Sequence, residues 1–235
     1  MEAFERIHCA DRAEWLANRC SFIGASEAAQ SLNLSPWGTA AELFDAKSGR
    51  AVAKDISDRP AVRYGVEMEP LVREQAMVEL PWLRWEYHQF DILVSREWPW
   101  MSATLDGEVT VEDGANPWGF PVGTRGVYEG KTGQFRREED LAEWTGENSI
   151  PMHYYAQTLH QLAVTGWQFV IVSARLRREG YRDSDYGFPE IRCLYRIVDR
   201  RSPSVREDIA KLVEGEGRFA RQLHAGERPA KVVRI

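Results

Sequence analysis

The chain has 235 residues, enough for one large α/β domain or two small ones, and its 43% hydrophobic content is ordinary for a globular protein with a sizeable core. Thirty basic residues against 36 acidic ones leave a net charge of −6, which argues against a protein that simply coats nucleic acid. No apolar run approaches the roughly 18 residues that span a bilayer, and Met1 to Glu5 lacks the basic start of a secretory signal, so a cytoplasmic protein without membrane association is expected.

In chain order, Asp11 is placed to cap a helix running through Arg19, Ser26 one from Glu27 to Leu32, and Thr39 one from Ala40 to Lys47 that Gly49 closes. These helices are expected before any strand. Helical spacing continues from Val62 to Val78, with Pro70 predicting a kink or a restart. After Pro81 the texture turns aromatic and β-branched. Segments Trp82 to Tyr87, Phe90 to Val94, Met101 to Leu105 and Glu108 to Val111 read as an antiparallel meander. Asp113 to Thr124, rich in Gly, Pro and Asn, reads as a loop, and Gly126 to Lys131 as a short strand.

Ile150-Pro151 opens a helix with proline at its first position that runs to about Thr165 and stops at Gly166. Phe169 to Leu176, apolar on both faces, suits a central strand, and Ile191 to Val198 is another. A last helix follows Ser204, from Val205 to about His224, and ends at Gly226. Helices, a mixed sheet, then helices predict an α/β/α sandwich. There is no repeat or linker, so residues 1–235 are read as a single domain with its core at about 15–200 and its C-terminal helix at about 205–225.

Cys9, Cys20 and Cys193 are odd in number and include no C-x-x-C pair. They are expected as reduced, buried thiols rather than a disulfide framework, a structural zinc site or an iron–sulfur cluster. The tail is basic: Arg200, Arg201, Arg206, Lys211, Arg218, Arg221, Arg228, Lys231 and Arg234, with Arg175, Arg177, Arg178 and Arg182 upstream. Such a run is either a solvated face or a phosphate-tracking surface. Trp37, Trp82, Trp85, Trp98, Trp100 and Trp118 suit core packing for the most part, with base stacking as the alternative for one of them.

Two short segments carry chemistry. In Glu129-Gly130-Lys131 the two charged residues are two apart on a strand and share a face. A carboxylate is a hard oxygen ligand, and an ammonium beside it can orient water and neutralise an attacked phosphate. Alone, the pair is weak evidence and reads as an exposed ion pair worth about 0 to 1 kcal/mol. Asp106-Gly107 at a strand end can bring a second carboxylate, though alone it reads as a turn.

Together, a strand ending in Asp106-Gly107, a loop, and a strand bearing Glu129-x-Lys131 resemble the signature of the PD-(D/E)XK nuclease superfamily, with Leu105 where proline is usual. Ile23-Gly24-Ala25-Ser26-Glu27, Leu34 to Thr39, Gly65 to Pro70, Tyr155-Ala156-Gln157 and Val164-Thr165-Gly166 further resemble, in order, the YqaJ-like viral recombinase family, to which lambda-type exonucleases belong. The resemblance spans about Trp15 to Ala174 and implies a restriction-endonuclease-like α/β fold.

It further implies a Mg²⁺-dependent DNA nuclease, with Mn²⁺ as a substitute ion. Asp106 and Glu129 would be metal ligands, with the Gly130 carbonyl as a third and Glu69 completing the acidic cluster. Lys131 would position the nucleophilic water, Gln157 would help orient it, and Ser26 and Arg19 would hold a terminal phosphate. The implied reaction is 5′-to-3′ resection of double-stranded DNA ends for a single-strand annealing protein, by a homo-oligomer such as a trimeric ring. An endonuclease or structure-specific nuclease, or a non-catalytic recombination scaffold, are the alternatives.

Plainer roles stand beside these. Glu69 suits a solvated helix acid, Ser26 an N-cap, and Gln157 a surface amide, with His160 and Gln161, one turn on, as alternatives for any polar role there. His153 and His160 are read as ordinary polar residues. Where the family often has a second glutamine two residues after the first, this chain has Leu159.

Overall fold

The computed structural model describes residues 2–52, 58–146, 149–180 and 190–230; Arg182, Lys231 and Arg234 of the basic tail lie outside them. The chain opens on a strand, β1 (Phe4–Ile7), so the expectation that helices come before any strand is corrected. The four residues alternate across the sheet, a signal too short to compete with the helix cap that follows. Helix α1 (Arg12–Arg19) is capped by the Asp11 carboxylate, which accepts from the N–H groups of Ala13 and Glu14.

Strand β2 is only Ile23–Gly24 and leads through a 3₁₀ turn, Ala25–Glu27, into α2 (Ala28–Ser31). Ser26 lies inside that turn and does not cap it. The capping position is Gly24, whose N–H donates to the Glu27 carboxylate at 2.8 Å, and Lys47 pins the same oxygen at 2.8 Å. Helix α3 (Ala40–Lys47) has the expected Thr39 cap, with Glu42 reaching back to the Thr39 N–H at 2.7 Å.

Helix α4 (Pro60–Glu79) runs unbroken through Pro70, without a restart. Pro70 and Val66 both lie on the exposed face, where solvent can replace the hydrogen bond that proline removes. Strands β3 (Leu83–Glu86), β4 (Ile92–Ser95), β5 (Met101–Ala103), β6 (Gly107–Val111) and β7 (Arg125–Phe135) follow, then a short helix α5 (Ala142–Thr145). Helix α6 (Met152–Thr165) ends on Gly166 at φ +69°, and β8 (Phe169–Arg178), β9 (Ile191–Asp199) and α7 (Pro203–Ala225) complete the chain. Helix α7 begins two residues earlier than expected because Pro203, not Val205, takes the first helical position behind Ser202.

The strands do not form one meander. β3, β6, β7, β8 and β9 lie side by side in that order, with β7 and β8 parallel and the other neighbours antiparallel. β4 and β5 leave for a second sheet of order β1-β4-β5-β2. There β4 pairs with β1 and β5 with β2, two strands that sequence reading did not find.

The five-stranded mixed sheet is the middle layer of an α/β/α sandwich. Alternation along β7 and β8 assigns its two faces. Tyr128, Phe169 and Ile171 pack with Ala76 and Leu80 from the end of α4, and Phe120 stacks on Phe169 with ring centroids 4.4 Å apart. Val127, Val170, Val172 and Ala174 face the other way, onto Ala156, Leu159 and Ala163 of α6. Gly126 is required by this packing, since a Cβ there would meet the Phe169 ring at 2.3 Å. Among the cysteines only Cys9 is buried; Cys20 and Cys193 are exposed thiols, contrary to expectation.

Most described basic residues of the tail are engaged. Lys211 pairs with Glu207, Arg218 with Glu214, Arg228 with Asp45 and Arg201 with Asp199, while Arg200 donates to the Leu162 carbonyl. This run is therefore largely a self-neutralised face.

Candidate active site

Antiparallel register sets Gly107 of β6 opposite Tyr128 of β7. Asp106, one residue before β6, therefore falls beside Glu129 and Gly130. Its Oδ2 accepts the Gly130 N–H at 2.9 Å. A glycine at 107 keeps the crossing close, because a Cβ there would lie 3.2 Å from the Cβ of Tyr128.

The same alternation that buries Val127 against α6 turns Glu129 and Lys131 toward that helix. Lys131 Nζ donates to Glu129 Oε1 at 2.5 Å and to Gln157 Oε1 at 3.0 Å, and Gln157 Nε2 donates to Glu129 Oε1 at 2.7 Å. Gln161, one turn further along α6, donates to Glu129 Oε2 at 2.5 Å. Glu129 is 2% exposed, and a bare buried carboxylate would be costly; three donors offset that cost and fix its orientation. The Tyr154 ring covers the ammonium, with Nζ 4.6 Å from its centroid.

Gln161, which the sequence offers only as an alternative to Gln157 for a polar role, acts beside it as a second glutamine. The family pattern directs attention to position 159, which faces the apolar core as Leu159. On a helix, position 161 returns to the face of Gln157 by the four-residue rule, and that spacing was the available signal.

Burial, then the nearby Glu129 carboxylate, hold the Asp106 carboxyl well above the usual aspartate range, with Lys131 opposing them. Burial disfavours the charge on Lys131, but Glu129 and Asp106 outweigh it and raise its pKa. Lys131 is thus a held cation, suited to positioning and to countering negative charge.

Helix α4 passes close over β7, where a Cβ on Gly65 would lie 3.3 Å from Thr132 Oγ1. This brings Glu69 within electrostatic reach of Asp106. Its carboxylate turns to Arg73 at 3.3 Å, and the Arg73 guanidinium also donates to the Asp106 carbonyl at 3.1 Å while lying over the Tyr87 ring. Arg73 is a residue that the sequence did not single out.

Arg19 and Ser26 come together at one mouth of the fold, Nη2 donating to Oγ at 3.1 Å, with the guanidinium stacked on Trp15 at 4.4 Å. The Trp15 indole N–H donates to Thr104 Oγ1 at 2.8 Å, two residues before Asp106.

Among the described residues no three His, Cys, Asp or Glu side chains gather as a ready-made ligand set. What does converge is two carboxylates, Asp106 and Glu129, at the Gly130 backbone. This all-oxygen donor set suits Mg²⁺, which commonly takes one or two carboxylates and fills its remaining positions with water and substrate phosphate. The mutual repulsion that raises Asp106 is what a cation between the two would relieve.

This fold and site define a class: α/β/α proteins with a carboxylate–carboxylate–lysine cluster where two core strands meet a helix. More particularly, the chain belongs to the YqaJ-like viral recombinase domain family, whose profile matches residues 14–168 and so covers every site residue named above. It is 28% identical over 158 residues to the uncharacterized protein YqaJ of Bacillus subtilis (strain 168). That match takes in 67% of this chain and 44% of the relative, so the chain spans less than half the length of that protein.

Among solved structures, LHK-Exo in complex with dAMP superposes with a TM-score of 0.59 at 18% identity, over 92% of this chain and 96% of that one. The alkaline exonuclease LHK-Exo from Laribacter hongkongensis gives 0.57 at 16% identity over the same shares, 92% and 96%. At such identities the likeness establishes the restriction-endonuclease-like fold. No helix among the described residues is long and apolar enough to cross a membrane.

Proposed function

We propose that the chain is a Mg²⁺-dependent DNA nuclease, acting as a 5′-to-3′ exonuclease on double-stranded ends and supplying single strands to an annealing protein. The observation that carries this reading is the fixed cluster of Asp106, Glu129 and Lys131, with Glu129 held by Gln157 and Gln161. Asp106, Glu129 and the Gly130 carbonyl would hold the ion, with Glu69 joining once released from Arg73. The ion, Mg²⁺ or Mn²⁺ in its place, would supply Lewis-acid polarisation of the phosphodiester and a more acidic water.

The protein's own part is positioning. Lys131 sits where charge accumulates on the attacked phosphate, and Gln157 bridges Lys131 and Glu129 so that both keep one geometry as the substrate arrives. Arg19 and Ser26 offer a cation and a hydroxyl for a terminal phosphate. With a net charge of −6, the chain would hold DNA best as a homo-oligomer, for which a trimeric ring is the proposed form.

The test compares end-labelled linear duplex with a covalently closed circle, with Mg²⁺ and with a chelator. Loss of label from the linear form alone, from the 5′ side and only with the ion, is expected. Nicking of the circle would replace the exonuclease with an endonuclease, and an inert wild-type chain would leave only a scaffold.

A further inference from the structure

Of the nine tryptophans, eight are buried or half-buried and one, Trp37, is 80% exposed. It stands on a loop between α2 and α3 that is anything but loose. Asn33 adopts a left-handed conformation at φ +58° and accepts the Ala40 N–H at 2.9 Å. The Leu34 and Ser35 N–H groups both donate to the Ala29 carbonyl, at 2.7 and 3.0 Å, and Ser35 Oγ accepts the Trp37 N–H at 3.1 Å. Gln30 bonds the Thr39 carbonyl at 3.2 Å and fills the space beside Gly38, where a Cβ would come within 2.6 Å of its amide. A loop pinned at both ends thus presents one large apolar ring to solvent, an arrangement that folding alone does not reward.

The direction of the ring supplies its meaning. Trp37 meets His153 edge to face, centroids 6.4 Å apart; His153 lies against Tyr154 at 4.0 Å; and Tyr154 covers the Lys131 ammonium. A chain of ring contacts therefore links the exposed indole to the lysine that would meet the scissile phosphate. Every nucleobase has a π-face, and stacking on such a path is sequence-tolerant, as a general nuclease requires.

We infer that Trp37 is a stacking platform for an unpaired nucleobase of the strand whose phosphate reaches Lys131. The inference deepens the nuclease reading and rests on it for the identity of the ligand. It adds a binding residue outside the metal site, and it specifies single-stranded rather than paired DNA at that point.

The experiment measures binding of a short fluorescent oligothymidylate to the full chain without divalent ion, so that nothing is cut. It uses wild type, Trp37→Ala and Trp37→Phe, and a series of oligonucleotides with one abasic position each. Trp37→Ala should weaken binding roughly 5- to 150-fold, the range for loss of one stacked base, while Trp37→Phe keeps most of it. One abasic position should weaken the wild type by the same factor and Trp37→Ala by little.

Equal affinity of wild type and Trp37→Ala, abasic losses that are the same in both, or no measurable binding by the wild type each overturns the platform. Because the readout is metal-free binding, it separates from the parent reading. Trp37-dependent binding by a chain that leaves linear DNA intact with Mg²⁺ would sink the nuclease and leave the platform standing.

Discussion

Helix α6 has a buried carboxylate on either side, and the two invite opposite conclusions. Toward the mixed sheet lies Glu129, 2% exposed, met by Lys131, Gln157 and Gln161, with Asp106 next to it. Toward α7 lies Glu216, wholly buried, met by His160 Nδ1 at 2.9 Å, while His160 Nε2 donates to the Ser102 carbonyl at 2.9 Å. Among the described residues Glu216 has one hydrogen-bond partner and its other oxygen has none. Burial of a carboxyl group is common to both. A second carboxylate and a held cation distinguish the site proposed to act on a phosphodiester from the polar staple that joins α6, α7 and β5.

Substitutions that separate the two clusters put this comparison at risk. The largest effect is expected at Asp106→Asn, which keeps the shape and the Gly130 hydrogen bond but removes a ligand charge. Degradation of linear DNA should fall by at least about 10³-fold, with circular dichroism unchanged, since a metal contributes several kcal/mol to such a step. Full activity in this variant would move the active site elsewhere.

His160→Ala comes next and should act on stability alone. Leaving Glu216 buried without its partner should cost about 3 to 5 kcal/mol, read as a lower urea midpoint, with activity per folded molecule unchanged. A catalytic defect at full stability would mean that the two clusters are not separate.

Smaller is Gln161→Leu, which strips one donor from Glu129 without touching substrate. Ion affinity measured by titration, together with the rate, should fall about 10- to 100-fold, the range for residues that orient ligands. If neither moves, Gln157 and Lys131 alone suffice to hold Glu129. The least effect belongs to Asp11→Ala, which removes the cap of α1 and should lower stability by about 1 kcal/mol in urea titration.

The cluster was legible in the sequence to the extent that it followed the period of its elements. Glu129 and Lys131 two apart on a strand, and Asp106 at a strand end before glycine, are arrangements that alternation and turn chemistry predict. Gln161 stood only as an alternative to Gln157, and Arg73 was missed, because their roles depend on which neighbour a helix faces, and the helical period alone does not name the neighbour. The cap at Ser26 failed for a related reason: Lys47, 20 residues further on, commits Glu27 to another geometry. The second sheet was invisible because β1 and β2 are four and two residues long, and strands that short acquire their identity from a partner far along the chain.

The indole bridge from Trp15 to Thr104 has a consequence for the length of what is released. It ties the helix carrying Arg19 to the residues that deliver Asp106, so under the proposed function the grip on a strand's end and the point of scission would be coupled through one side-chain bridge. A gauge and a blade mounted that way would trim a constant increment at every stroke and leave fragments of a single size.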